Sequence, residues 1–165
     1  MFHAALEGRG AAQRRGAVRI LRFEITQNTR YLDGDATLHV PNLVCLQQFC
    51  STCEDVEDAE RQCDRCGVRK HSFWADLVGE MLTYQCPPRP WVKKVLDVAH
   101  NAKAFDLHFI VSRAVLLQWQ PEMIMNGLKI MCMKLQHLVF LGSVSFLPFP
   151  LHKLPGTFGL TAFKS

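Results

Sequence analysis

Val98-Ala99-His100-Asn101-Ala102-Lys103-Ala104-Phe105-Asp106 is a polar turn between two apolar segments. Upstream, residues 92–100 read as a buried strand. Downstream, residues 105–118 read as a helix, with Phe109, Ile110, Arg113, Leu116 and Leu117 near one face. Asp106 thus stands where a strand gives way to a helix, a usual place for a metal-binding carboxylate in an α/β domain. The same residues also suit plain structure, with Asp106 capping the helix and Asn101 forming a turn. The local sequence leaves both readings open.

Working outward, the segments alternate between the two periods. Residues 18–26 form a strand pattern with Ile20, Leu21, Phe23 and Ile25. Residues 31–35 read as a turn, and residues 36–47 as a second strand broken by Pro41. Phe73, Trp74, Leu77, Val78, Met81 and Leu82 fall at helical spacing over residues 73–84, and Pro87, Pro88 and Pro90 end that helix. Residues 123–135 read as a hairpin turning at Asn126-Gly127, because such a pair accepts the positive φ angles of a type I′ turn. A further strand spans residues 137–146, ahead of a tail punctuated by Pro148, Pro150, Pro155, Gly156 and Gly159. Mixed strands and helices with one clear hairpin predict an α/β domain built on a mixed sheet.

The region 50–70 is short of large apolar residues, so it cannot build a core of its own. It carries Cys50-Ser51-Thr52-Cys53 and Cys63-Asp64-Arg65-Cys66, separated by nine residues. Four thiolates at this spacing can surround one zinc ion tetrahedrally, each pair forming a knuckle, and a closed four-cysteine site is structural rather than catalytic. Gly67 eases the sharp turn after the last ligand. The alternative is four unrelated thiols. Cys45, Cys86 and Cys132 lie in or beside apolar segments and read as small core residues.

The chain has 165 residues, 48% of them hydrophobic, enough for one domain with a real core and not the composition of a disordered chain. Its net charge of +4 permits a nucleic-acid partner without requiring one. No secretory signal is visible. The N-terminal stretch is rich in Ala, Gly and Arg, with Glu7 its only acid. It has the composition of a transit peptide, and the plainer reading makes residues 1–18 a disordered or extraneous extension. The longest apolar run, residues 138–151, is too short for a span of ~20 residues and contains prolines. The expectation is a soluble protein, nuclear or cytoplasmic rather than secreted.

His100-Asn101-x-x-x-Phe105-Asp106 resembles the second exonuclease motif of family B DNA polymerases, in the form used by protein-primed members. These serve linear viral genomes, linear plasmids and self-synthesising transposons. The transposon-type branch is also resembled by residues 39–44 (HVPNLV), by the cysteine pairs, by residues 124–131 (IMNGLKIM) and by residues 143–160. The resemblance runs over roughly residues 20–160, in the family's order. It implies a ribonuclease-H-like 3′–5′ exonuclease domain with a mixed sheet, incomplete, over residues 19–165, with residues 45–70 as an inserted zinc knuckle. The whole would be a fragment of a DNA-directed DNA polymerase, carrying no polymerase motif.

In that family two Mg²⁺ or Mn²⁺ ions held by carboxylates activate water at the 3′ end of a mispaired strand. By resemblance, Glu24 and Asp106 are the metal carboxylates, and Asn101 and Phe105 hold the single-stranded 3′ end, Phe105 by stacking. Ser143 and Val144 fall where the family contacts the primer strand or the priming protein. Three departures oppose activity. The first motif, normally Asp-x-Glu, reads Arg22-Phe23-Glu24, the Asp before Ser143 is Gly142, and the third motif is missing. An arginine both removes a metal ligand and repels the ion. The expectation is therefore a chain inactive alone. The other reading is a non-catalytic, zinc-stabilised module that binds single-stranded DNA or a protein.

Overall fold

The computed structural model describes residues 16–30, 37–53, 56, 58, 60–90, 92–100, 106–150, 153 and 157. The expected turn at residues 31–35 and most of the Pro-rich tail lie outside them. Seven strands form one sheet: β1 Gly16–Arg30, β2 Thr37–Cys50, β3 Lys70–Phe73, β4 Lys94–Ala99, β5 Glu122–Asn126, β6 Lys129–Leu135 and β7 Leu138–Gly142. The order across it is β3-β2-β1-β4-β7-β6-β5. The two central pairings, β1 with β4 and β4 with β7, are parallel, and the four outer ones are antiparallel. The sheet is mixed, as expected.

Helices α1 (Leu77–Gln85) and α2 (Asp106–Leu116) pack against each other, α1 on β2 and β3 and α2 on β6. Along β1, Ala17, Arg19, Leu21 and Phe23 are buried, while Val18 and Ile20 are exposed. This two-residue period marks a sheet covered by helices on one face. Phe23 of β1 meets Phe109 of α2 with ring centroids 5.9 Å apart. Met81, Leu82, Val95, Ile110 and Leu138 are sealed completely. Each such side chain contributes roughly 1.5–3 kcal/mol by leaving water. Among the described residues no helix is long and apolar enough to cross a membrane.

Several elements differ from expectation. Phe73 belongs to β3, and α1 starts four residues later. The helical spacing held only from Leu77 onward. Pro41 does not break β2. It pairs with Ile25 beside a register shift where β2 carries one extra residue, Asn42, an irregularity at which a residue without an N–H is tolerated. β2 continues to Cys50, which narrows the cysteine-bearing segment to the connection between β2 and β3. β1 begins at Gly16, so residues 16–18 are sheet rather than extension, and Ala17 is buried.

The hairpin turn sits one residue beyond its expected place. Asn126 pairs with Lys129, which leaves Gly127 and Leu128 as the turn. Only Gly127 there has positive φ (59°), the pattern of a type II′ turn. A second tight hairpin joins β6 to β7, with Gln136 at φ 55° supplying the same need without a glycine. β7 stops at Gly142, where a single 3₁₀ turn, Ser143–Ser145, replaces the strand expected to reach residue 146. The buried stripe of α2 is Leu107, Ile110 and Ala114, whereas Leu116 and Leu117 are exposed. Cys45, Cys86 and Cys132 are half-buried.

Ile110→Ala is expected to lower the unfolding free energy by about 2–4 kcal/mol, as loss of a sealed aliphatic side chain does. Leu116→Ala is expected to stay within about 0.5 kcal/mol. Urea titrations of the two variants measure this directly, and equal effects would place the buried face of α2 elsewhere.

Candidate functional site

Two places gather chemistry. The first is the connection between β2 and β3. The Sγ atoms of Cys50 and Cys53 are 3.8 Å apart, those of Cys50 and Cys63 3.8 Å, and those of Cys53 and Cys66 3.7 Å. All four lie within 4.8 Å of one another. Zn–S bonds of about 2.3 Å in a tetrahedron require S···S edges of about 3.8 Å, so the three closest edges match a zinc ion at the centre. The four cysteines are 3–7% exposed.

Local structure forms this cluster from the backbone outward. Cys63 and Gly67 exchange two backbone hydrogen bonds (3.0 and 2.7 Å), and Gly67 takes φ 79°, which closes the second knuckle. The N–H of Arg65 donates to Cys63 Sγ at 3.4 Å. Burial raises the pKa of the Cys53 and Cys66 thiols above the ordinary value. Burial also acts against ionisation of Cys63, but the N–H groups of Cys66 and Arg65 outweigh it and lower that thiol. Four sulfurs this close cannot all ionise against one another. A divalent cation removes that conflict, and soft thiolates select zinc over Mg²⁺.

The second place is the pocket at the C-terminal ends of the parallel strands, where open α/β sheets present their ligand sites. β4 ends at Ala99, opposite Leu21 of β1 and Gly142 of β7. β1 runs on past that point, and its residues 22–25 form one wall of a pocket closed by His100, Asp106 and Ser143. Glu24 and Asp106 therefore line the same pocket. Ser143 joins them, its Oγ 2.9 Å from His100 Nδ1. Val144 is not among the pocket's lining residues, and its backbone N–H donates to the His100 carbonyl at 2.9 Å. Asn101 and Phe105 lie outside the described residues. His100 carries the resembling motif's first position and had no role assigned from sequence, yet it links the ends of β4 and β7.

The two carboxylates are in different electrostatic states. Glu24 Oε1 is 2.7 Å from Arg22 Nη2, an ion pair at the pocket rim. Asp106 is 9% exposed, and its carboxylate has no hydrogen bond or ion pair among the described residues. Burial raises its pKa to about 6. Among the described residues the pocket thus offers one buried carboxylate, Asp106, and one exposed carboxylate already engaged by Arg22, which together make a poor set of ligands for two divalent ions.

The pH dependence has a definite sign. A folded-state pKa raised to about 6 means that the fold favours protonated Asp106. The resulting penalty grows as pH rises from the unfolded value near 4 through 6 and is complete above it. Asp106→Asn is therefore expected to stabilise the protein at pH 8, to change it little at pH 4, and to flatten the stability profile between them. Urea titrations at the two pH values test this. For the cysteine cluster, the full chain is expected to bind one zinc per molecule by metal analysis, and Cys63→Ser to lower that stoichiometry and the thermal midpoint together.

No family model matches the sequence, and no curated protein matches it. Among solved structures, the chain is similar to Phi29 DNA polymerase complexed with primer-template DNA in a post-translocation binary complex. The TM-score is 0.61 at 15% identity, over 90% of this chain and 24% of that one. The chain thus spans about a quarter of the polymerase it resembles, and at this identity the likeness is one of fold. Phi29 DNA polymerase is a protein-primed family B enzyme, so the mixed seven-stranded sheet with its two helices resembles a region of such a polymerase.

Proposed function

We propose that the chain is an exonuclease-region piece of a protein-primed family B DNA polymerase that holds a single-stranded DNA 3′ end without cleaving it. The observation that carries this reading is the pairing of Arg22 with Glu24 in the pocket that also contains Asp106. Phosphodiester hydrolysis of the two-metal kind needs carboxylates that converge on ions ~3.5–4 Å apart. Here one carboxylate is engaged by a permanent cation, because arginine does not deprotonate in proteins. A guanidinium at the pocket rim does suit a phosphate backbone.

In this reading Glu24 and Asp106 are remnants of the metal-binding pair. Asn101 and Phe105 grip the terminal nucleotide, the ring of Phe105 by stacking. Ser143 and Val144 stand where the primer strand or a priming protein passes. Zinc at the four cysteines is structural, and Mg²⁺ or Mn²⁺ is the parent family's cofactor rather than this chain's. The second reading, a zinc-stabilised module that binds single-stranded DNA or a protein on its own account, is favoured by the same ion pair. The two readings differ in whether polymerase motifs are joined to this chain, and the neighbouring coding sequence separates them.

With Mg²⁺ present, the full chain is expected to leave a 5′-labelled single strand at its original length and to incorporate no nucleotide. Fluorescence anisotropy is expected to show binding of the same strand without any divalent ion, weakening as salt rises. Arg22→Asp is expected to add measurable Mg²⁺ uptake and no turnover. Robust Mg²⁺-dependent trimming by the unmodified chain would overturn the reading and direct attention to Asp33 and Asp35 as substitute ligands.

A further inference from the structure

Gln48 is 1% exposed, in the strand that ends at the first metal-ligating cysteine. Its Nε2 lies 2.9 Å from the Cys66 carbonyl, 2.6 Å from the Val68 carbonyl and 2.9 Å from Tyr84 Oη. Its Oε1 accepts from Arg19 Nε at 3.3 Å. The chemistry of the neighbours fixes which end of this amide points where. A backbone carbonyl can only accept and a guanidinium can only donate, so the nitrogen must face the knuckle and the oxygen must face Arg19. Its own backbone N–H adds a third tie to the same segment, donating to the Arg69 carbonyl at 2.8 Å.

Arg19 is fully buried. It donates through Nη1 to Gln85 Oε1 at 3.1 Å, and its guanidinium lies 5.7 Å from the centre of the Tyr84 ring. It stands beside Asp97 across the parallel β1–β4 pairing. Those two strands run on directly to Arg22 and Glu24 and to His100. The polar interior therefore touches the cysteine cluster at one end and the strands of the pocket at the other.

We propose that Gln48 is the positioning residue of the four-cysteine metal centre, its amide clamping the second knuckle through the Cys66 and Val68 carbonyls and tying metal occupancy, through Arg19, to the interior beneath the pocket. When the metal leaves, the turn that presents those two carbonyls loses its closure. The Gln48 amide then loses acceptors that nothing in a dry interior replaces, and Arg19 loses the oriented oxygen of its partner. Metal binding and completion of the polar core are one event.

Gln48→Glu separates this role from simple core packing. Glutamate has the same shape and still accepts from Arg19, but it cannot donate to the knuckle and sets a negative charge against two carbonyl oxygens. In the full chain, Zn²⁺ affinity measured by chelator competition is expected to fall about 10-fold or more. Bound Co²⁺ should keep the thiolate charge-transfer absorption of four-sulfur coordination. Tyr84→Phe removes only the third acceptor and is expected to leave Zn²⁺ affinity within about twofold, because two carbonyls remain for two hydrogens. A folded Gln48→Glu protein with Zn²⁺ affinity within twofold of the unmodified chain would sink the proposal. Should that variant not fold, hydrogen exchange of the Gln48 side-chain amide in the unmodified chain decides. Slow exchange with Zn²⁺ that speeds up at least 10-fold on chelation supports the clamp, and exchange indifferent to chelation refutes it. None of these readouts depends on DNA, so the pocket assignment stands or falls separately.

Discussion

A guanidinium at the centre of a sheet is costly unless its surroundings are arranged for it. Arg19 sits in β1 with no exposed surface, and its neighbours are arranged accordingly. Gln48 from β2, Gln85 from α1 and Asp97 from β4 converge on it from three directions. Asp97 is fully buried as well, and burial raises its pKa to about 7 even though the nearby guanidinium acts the other way. Among the described residues neither of its oxygens, nor Arg19 Nη2, has a protein hydrogen-bond partner. Groups of this kind are ordinarily completed by buried water. Gln48 of β2 and Gln85 of α1 supply its hydrogen bonds and Asp97 of β4 stands beside it, so three elements share one buried charge.

From that constraint the two chemical centres follow as opposite ends of one structure. Strand β2 passes Gln48 and reaches Cys50 within two residues, so the sheet delivers the first thiol. Strand β1 passes Arg19 and reaches Arg22 within three, so the sheet also delivers the pocket's cation. The buried Arg69 strengthens the first end. Its guanidinium lies 5.0 Å from the Phe49 ring centre and donates to the carbonyls of Val56 and Asp58 in the loop between the cysteine pairs. An acidic loop with little to bury beyond Val56, which packs on the cysteines, is thereby anchored by backbone hydrogen bonds.

How much of this could be read from residue order depends on the distance over which each signal acts. The cysteine cluster was fully legible, because Cys-x-x-Cys spacing and an apolar-poor loop are local properties. The sheet was largely legible, because β4, β6 and β7 carry strong apolar runs. Strand β3 was not, since Lys-His-Ser-Phe has too few apolar residues to display a period, and it exists because β2 offers it an edge. The hairpin was found but misplaced by one residue, as Asn-Gly chemistry fits a type I′ turn and the pairing of Asn126 with Lys129 selects Gly-Leu instead. Arg19 and Asp97 gave no sign of their importance. A charged residue in a strand pattern ordinarily faces water, and only the non-local meeting of β1 with β4 buries both. His100 was quoted for its place in a motif, while its bond to Ser143 arises from the parallel alignment of β4 with β7.

The two centres also differ in how far they tolerate change, and this bears on Arg22. In the cysteine cluster all four sulfurs lie within 4.8 Å of one another, so a single substitution leaves three where a closed tetrahedral site needs four. In the pocket the polar residues come from separate elements: Glu24 on β1, Asp106 at the head of α2, Ser143 beyond β7. A change at one of them need not disturb the fold that holds the rest. Arg22 is 70% exposed and rests on Glu24, so its charge costs no burial and meets its own countercharge. An ion pair so exposed adds little stability. Its effect is electrostatic and local, a guanidinium set against Glu24 at the pocket rim. Because the pocket's residues sit on separate elements at the margin of a sheet organised around Arg19, their chemistry can vary while the sheet stays the same, and likeness of fold leaves the chemistry of the pocket to these side chains alone.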